Sequence, residues 1–538
     1  MKKIVLALGL LVMVSLAVRA SAQINCSDPV RTVTGQVRGA DSETPGACVW
    51  RGIPFVAAPV RDLRWKAPQP APAWSGVREA LNFGPLCMQK GMTSYEKLAN
   101  KAGMSEDCLY LNVWRPKKAA PLQAGFPVMV WIHGGGYTGG VSSTPMYWGD
   151  RLSQEGDVVV VSTNYRLNIF GFFSSPALRS EDPDKSTGNY AFLDQVAALK
   201  WVRDNIKNFG GDPNNVTIFG ESAGGFSICT LVATPTAKGL FKQAIMESGG
   251  CIMSEDLEDG YKAAKLTAEK IGCGLDDLKC LRALSPKKIL DAMPGGMAQN
   301  GNMPHHDGYV LSNTPLAMIE SGNYNRVPFL AGSNREEFGN AMKLYSKISH
   351  VRPKDYEKAM VEGMKFSPQD AAELARLYPL SEYQNRPVVA YGHMIGADAV
   401  FACPTYNGLI AASGQQTPTY LYRFDYDHMR MGKYFGAAHS FEMPFIFDSF
   451  DRMPSNIFYN DKNVVPAKKL SKIMQEYWLN FAKTGNPNGP GLPDWPLFTP
   501  GSQAMKIFDY EVRTGNAGLS DRCGFWAKHS LKERPSLK

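Results

Sequence analysis

The chain has 538 residues with 58 Lys and Arg against 50 Asp and Glu, a formal charge of +8. A hydrophobic share of 44% and a charged share of 20% exclude a disordered, collagenous or coiled-coil chain, and the mild positive charge is far below that of a dedicated nucleic-acid binder. At about 150 residues per domain the length suggests several domains, but α/β proteins outgrow that rule by insertion, so boundaries must come from the chain itself.

Residues 1–22 read as a cleavable secretory signal. Lys2 and Lys3 precede an apolar run from Ile4 to Val18, and Ala20-Ser21-Ala22 supplies the small residues before Gln23. The run is shorter than the ~20 residues that cross a bilayer, and the polar end Lys532 to Lys538 is no lipid-anchor tail, so a soluble protein, secreted or periplasmic, with no stable membrane anchor is expected. Removing Lys2, Lys3 and Arg19, with no acid among those 22 residues, leaves 55 basic against 50 acidic residues and a net charge of +5. Ten cysteines suit an oxidising compartment, and none of their spacings forms a Cys-x-x-Cys or Cys/His metal motif.

From about residue 127 short apolar runs alternate with helical patterns. Val128 to Ile132, Val158 to Val161 and Val216 to Phe219 lack apolar/polar alternation, as strands covered on both faces do. Tyr190 to Asn208 carries Phe192, Val196, Leu199 and Val202 at helical steps. Further strands are expected at Gln243 to Met246, Val327 to Ala331, Tyr420 to Phe424 and Lys506 to Phe508. Strand, helix, strand repetition predicts a large, mainly parallel central sheet covered by helices on both faces. No repeat or linker divides residues 23–538, which read as one catalytic domain; about 255 to 400 is richest in helical pattern and should form much of the lid.

Gly220-Glu221-Ser222-Ala223-Gly224 follows the strand ending at Phe219 and precedes a helix start. A serine on such a strand-to-helix turn is held in a strained backbone with its hydroxyl presented, and the glycines leave room for the turn. Ser222 is therefore the candidate nucleophile. His133-Gly134-Gly135-Gly136, after the strand ending at Ile132, can aim backbone N–H groups at a developing oxyanion, and Gly135, Gly136 and Ala223 are the candidate donors. Such a serine needs a histidine to take its proton and a carboxylate to orient that histidine. The elbow resembles that of the α/β hydrolases, whose chain order is Ser, acid, His. That order leaves His305, His306, His350, His393, His428, His439 and His529, and composition does not choose among them.

Asn164-Tyr165-Arg166, Gly188 to Gln195, Phe209 to Pro213 leading into Gly220 to Gly225, and Glu106 to Val113 resemble the type-B carboxylesterase family, which includes the cholinesterases. The similarity runs from about Val37 to Trp526. It implies an α/β-hydrolase fold with helical insertions around the active site, a serine carboxylesterase activity without cofactor or metal, and a small-molecule ester as partner.

The family's acid motif resembles Gly332 to Glu337 and places the acid at Glu337, with Glu336 as fallback; Phe338 stands where a glycine is usual. The histidine motif resembles Ala438 to Phe445 and places the base at His439. Ser248 matches a serine near the acid in relatives, a turn or core-facing serine being the equal alternative. Asp307 is a rival acid, although its surroundings resemble a stretch near the pocket entrance, where His305 and His306 would either line the opening or sit as solvated loop residues. The resemblance pairs Cys87 with Cys108, Cys273 with Cys280 and Cys403 with Cys523. Cys26 with Cys48 is a further pair, and Cys229 and Cys251 are left over as buried thiols. Arg51 and Glu106 match a buried ion pair of the family.

The implied chemistry is two-step hydrolysis: Ser222 attacks the ester carbonyl, His439 carries the proton, and water releases the acid. Some members of the family have kept the fold and lost catalysis as adhesion modules, typically without a triad residue; here all three are present. Residues 88 to 107 contain Tyr95 but no Trp to bind a quaternary ammonium, which disfavours choline esters. Short-to-medium acyl esters, a lipase-like preference, or a specialised detoxification target such as a fumonisin-type polycarboxylate ester remain.

Overall fold

The computed structural model describes residues 24–90, 102–121, 124–293, 303–340, 350–415 and 417–529. The expected signal segment and Tyr95 lie outside these. At its centre is an 11-stranded mixed sheet. In chain order its strands are β1 (Ala40–Asp41), β2 (Ala47–Pro54), β3 (Tyr110–Pro116), β4 (Phe126–Ile132), β5 (Val159–Thr163), β6 (Gly211–Glu221), β7 (Gln243–Glu247), β8 (Phe329–Asn334), β9 (Thr419–Phe424), β10 (Ala504–Phe508) and β11 (Arg513–Asn516). Their spatial order is β11-β10-β9-β8-β7-β6-β4-β5-β3-β2-β1. Strands β4 to β10 pair in parallel, while β1 to β3 and β11 add antiparallel edges.

Each strand expected from residue 127 onward is present. The antiparallel edges were not anticipated: β2 contains Gly52 and an irregular register between Trp50 and Ile53, so it shows no clean period.

The parallel strands read as unbroken apolar runs because both faces are covered. In β4, Val128, Val130 and Ile132 enter one core, whereas Met129 and Trp131 enter the other. Helices α1 (Tyr190–Asn205) and α2 (Ala223–Ala233) supply Phe192, Leu199, Ile228 and Leu231 to the first core. Helix α4 (Val464–Thr484) supplies Leu470, Met474 and Trp478 to the second. Helix α1 stops at Asn205 and tightens into a 3₁₀ turn, Ile206–Phe209, ended by Gly210 at φ 78°. The 255–400 stretch holds α3 (Leu257–Ile271) and several shorter helices, and it also threads β8 through the sheet. Among the described residues no helix is long and apolar enough to cross a membrane.

All ten cysteines are paired. The four expected disulfides are present, and Cys229–Cys251 is a fifth, which corrects the expectation of two buried thiols. The cause is topological: α2 packs back along β7, and the chain leaving β7 brings Cys251 under Cys229 with their Cα atoms 5.4 Å apart.

The buried ion pair also needs correction. Glu106 is held by Arg64, not Arg51, through paired contacts of 2.6 and 2.7 Å, and Arg64 also donates to the carbonyls of Leu281 and Leu284. Arg51 lies on β2 instead, over the rings of Phe83 and Trp148, and binds Glu43. Only Arg64 reaches the interior, where an unpaired Glu106 would carry a large desolvation penalty.

Candidate active site

Parallel register brings the strand ends to one edge of the sheet. Ile132 lies opposite Gly220, Glu221 opposite Glu247, and Glu247 opposite Gly332. The turns that follow carry residues 133–136, Ser222, Ser248 and Glu337, so four distant stretches converge.

Ser222 sits between β6 and α2 at φ 58°, ψ −125°. It is the one residue from 216 to 233 that is not buried. Its N–H donates to the Glu247 carbonyl at 3.0 Å, and its own carbonyl starts α2. Glycine is required on both sides of the elbow because the helix crosses so close to β4. A Cβ on Gly220 would come within 2.7 Å of the Ile132 carbonyl, and one on Gly224 within 2.0 Å.

The glycine turn lies directly against the serine. A Cβ on Gly134 would meet Ser222 Cβ at 2.9 Å, while Gly135 at φ 112° and Gly136 at φ 61° occupy backbone that other residues rarely adopt. Behind the turn His133 is fully buried, stacked on Tyr165, and held through Nδ1 at the Gly134 carbonyl. Burial pushes its pKa down to about 4, so it is a neutral structural ring. The family signatures serve as scaffolding for this edge: Arg166 and Asp194 form a buried pair at 2.7 Å, and Asn164 accepts from Ser142.

Glu337 and His439 come together from sequence positions 102 apart. His439 Nδ1 is 2.6 Å from Glu337 Oε2, and the backbone of Glu337 bridges the segment carrying Ala438 and His439. The other carboxylate oxygen, Oε1, accepts from the Asn334 N–H at 2.7 Å and the Ser248 hydroxyl at 2.8 Å. Ser248 therefore does contact the candidate acid. Glu336 is turned away, bound to Arg335 and to the Ala437 N–H. The turn uses positive φ at Glu337, 45°, and not at Phe338, which removes the need for a glycine there. Instead the Phe338 ring lies 4.3 Å from His439 and Phe401 lies 4.8 Å from it, which is where the 255–400 insertion and its continuation meet the site.

Asp307 is committed elsewhere: it accepts from Ser186 and from the N–H groups of Tyr309, Val310 and Leu311. His305 is not a solvated loop residue but fully buried, between Glu255 and the Phe172 carbonyl, while His306 reaches Ser254 and Asp256.

Three buried carboxyls had no role in the sequence reading. Glu221 Oε1 lies 3.1 Å from His439 Nε2 and accepts from the Ser440 hydroxyl at 2.6 Å. Glu442 accepts from the Asn334 side-chain amide, and Glu247 accepts from Trp478 Nε1. Their signal in the sequence is position: each adjoins a motif residue, and Glu247 closes an otherwise apolar strand. Burial raises the pKa of Glu221 and of Glu247. At His439, burial opposes the charged ring, but the carboxylates of Glu221 and Glu337 outweigh it and raise the pKa to about 9.

A base must be neutral to accept a proton, so kcat/KM is expected to climb with pH through an acid limb centred above the ordinary histidine value of about 6.5. Glu221→Gln removes one of the two carboxylates and should move that midpoint downward in a kcat/KM–pH profile.

Against His439 lies a cavity of about 200 Å³, lined also by Met146, Tyr147, Met429, Phe441 and Phe458, and among the described residues no charged side chain besides His439 lines it. The one group of Cys, His and acidic residues close enough to hold a metal among the described residues is Cys26, Asp41 and Cys48, whose sulfurs are joined to each other.

A serine on a strained strand-to-helix turn at the carboxyl edge of a mainly parallel sheet defines an α/β hydrolase. The chain belongs to the carboxylesterase family, whose model matches residues 27–526, and it is a carboxylic ester hydrolase. It is 36% identical to the para-nitrobenzyl esterase of Bacillus subtilis (strain 168) over 92% of this chain and 97% of that protein. It is 34% identical to the fumonisin B1 esterase of Sphingopyxis macrogoltabida, over 93% and 90% of the two chains. Among solved structures it resembles a para-nitrobenzyl (PNB) esterase (TM-score 0.77, 34% identity, 93% of this chain and 100% of that one). A Geobacillus stearothermophilus carboxylesterase gives a TM-score of 0.78 at 33% identity, covering 93% and 99%.

Proposed function

We propose that this protein is an exported serine esterase that hydrolyses neutral carboxylic esters through an acyl-enzyme on Ser222. The observation that carries the reading is the part-buried Glu337–His439 contact of 2.6 Å, at the sheet edge where Ser222 and the glycine turn meet. In the proposed mechanism His439 Nε2 takes the Ser222 proton as Oγ attacks the carbonyl. Glu337 holds the Nδ1 proton and stabilises the imidazolium. The oxyanion forms against the N–H groups of Gly135, Gly136 and Ala223, and His439 then protonates the leaving alcohol. Water repeats the sequence and frees the acid.

One domain over residues 23–538 fits the continuous sheet, and the pattern of residues 1–22 together with five disulfides supports export with cleavage near Ala22 and Gln23.

The cavity beside His439 supports one substrate class over the others. Its methionine and aromatic walls suit apolar groups, and among the described residues its lining offers no Lys or Arg to a polycarboxylate ester of the fumonisin type. Short-to-medium neutral esters should therefore outperform isosteric esters bearing a free carboxylate by about tenfold or more in kcat/KM, since stranding one charge there costs at least ~1.4 kcal/mol. A panel varying acyl length and charge measures this; a preference for the anionic esters would refute the assignment.

A further inference from the structure

The hydrogen positions around Glu337 pose a counting problem. Ser248 Oγ lies 2.8 Å from Glu337 Oε1 and 3.4 Å from Glu442 Oε1, but a hydroxyl has one hydrogen and can donate it once. Both hydrogens of the Asn334 side-chain amide are already used, one on the Ala438 carbonyl and one on Glu442 Oε2, while its backbone N–H goes to Glu337. If Ser248 gives its hydrogen to the nearer oxygen, Glu442 Oε1 faces Ser248 Oγ lone pair to lone pair, unless the hydrogen between them belongs to Glu442.

We infer that Glu442 is a positioning residue that works as a neutral carboxylic acid, donating to Ser248 so that the Ser248 hydroxyl is committed to Glu337.

The charge balance agrees. Glu221, Glu247, Glu337 and Glu442 are almost fully buried, and the groups gathered there are Glu221 from β6, Glu247 and Ser248 at the end of β7, Asn334 from β8, Glu337 after it, Tyr422 from β9, Trp478 from α4, and His439 and Ser440 on Glu442's own segment. His439 is the one basic group among them, against four carboxyls. A single imidazolium cannot balance four ionised acids buried this deeply, so protons must remain on some of them. Burial, reinforced by the charges of Glu221 and Glu337, raises the Glu442 pKa to about 8, and Glu442 is the carboxyl whose contacts call for a donor. The chain of donors then runs one way: Glu442 to Ser248, Ser248 to Glu337 Oε1, and Glu337 Oε2 left free to take the His439 Nδ1 proton.

The inference rests on Glu337 orienting His439, and its test is chosen so that the two can fail separately. Equilibrium unfolding of wild type and Glu442→Gln, followed from about pH 5 to pH 8, needs no catalysis. An unfolded glutamate ionises near its ordinary value, whereas a folded Glu442 stays protonated, so the folded wild-type state binds the extra proton and loses stability as pH rises through this window. Glutamine has no proton to lose. The denaturation midpoint of Glu442→Gln relative to wild type should therefore rise steadily with pH and level off near the folded Glu442 value. A gap that does not widen means an ionised Glu442 and overturns the inference.

Kinetics give a second arm. Glu442→Ala should lower kcat about tenfold with little change in KM, the cost of stranding a buried partner, and glutamine, which can still donate to Ser248, should restore most of it. A glutamine variant as slow as alanine overturns the inference as well. Should Glu442→Gln fail to fold, infrared spectra of the wild type decide: the absence of any protonated-carboxyl band at pH 7 contradicts the assignment.

Discussion

Ser222→Ala is expected to lower kcat for ester hydrolysis by at least about 10⁴-fold while the protein folds normally. In the proposed mechanism the loss is large because the covalent route disappears, leaving only binding and the oxyanion donors. The fold should survive because the Ser222 backbone contacts, its N–H to Glu247 and its carbonyl to Phe226, do not involve the hydroxyl. Initial rates and a thermal melt measured together check both halves. A variant that keeps most of its activity would place the chemistry on another residue.

Glu337→Gln is expected to cost about 10⁴-fold in kcat, with KM little changed, although only one atom is exchanged. The direction follows from the donors around the acid. Oε1 accepts from the Asn334 backbone N–H, which is fixed by β8 and cannot turn to become an acceptor. The carboxamide must therefore keep its oxygen there and point its NH₂ group at His439 Nδ1. That forces the imidazole into the tautomer with hydrogen on Nε2, the one atom that has to be bare to receive the serine proton. Loss of activity with an unchanged melting temperature identifies the tautomer effect, whereas a parallel collapse in stability would assign Glu337 a mainly structural role.

Much of the parallel sheet was legible in the sequence, since strands covered on both faces advertise themselves as unbroken apolar runs. The elbow was legible too, because its glycines, strand and helix fall within a dozen residues. The acid and base were a different matter. Seven histidines follow Ser222, and local chemistry does not separate them; family resemblance pointed to His439, and the structure shows it bonded to Glu337.

What stayed hidden depends on convergence. Arg51 and Arg64 lie 13 positions apart and look alike in the sequence, but only Arg64 enters the interior beside Glu106. The Cys229–Cys251 bond requires knowing that α2 folds back along β7. The acid cluster gathers Glu221, Glu247, Glu337 and Glu442 from four segments spanning more than 200 positions, so no window of sequence contains it. The antiparallel edge strands were illegible for a local reason: β1 has two residues, and β2 is interrupted by Gly52.

The central claim is that the ester's acyl group passes through Ser222. Mass spectrometry of enzyme quenched within the first turnover of a slowly deacylated ester tests it most directly. The account predicts a mass gain equal to one acyl group, mapped by digestion to the peptide containing Ser222 and absent from Ser222→Ala. An adduct on any other residue, or turnover of that ester with no adduct on a slow-deacylating time course, would contradict it.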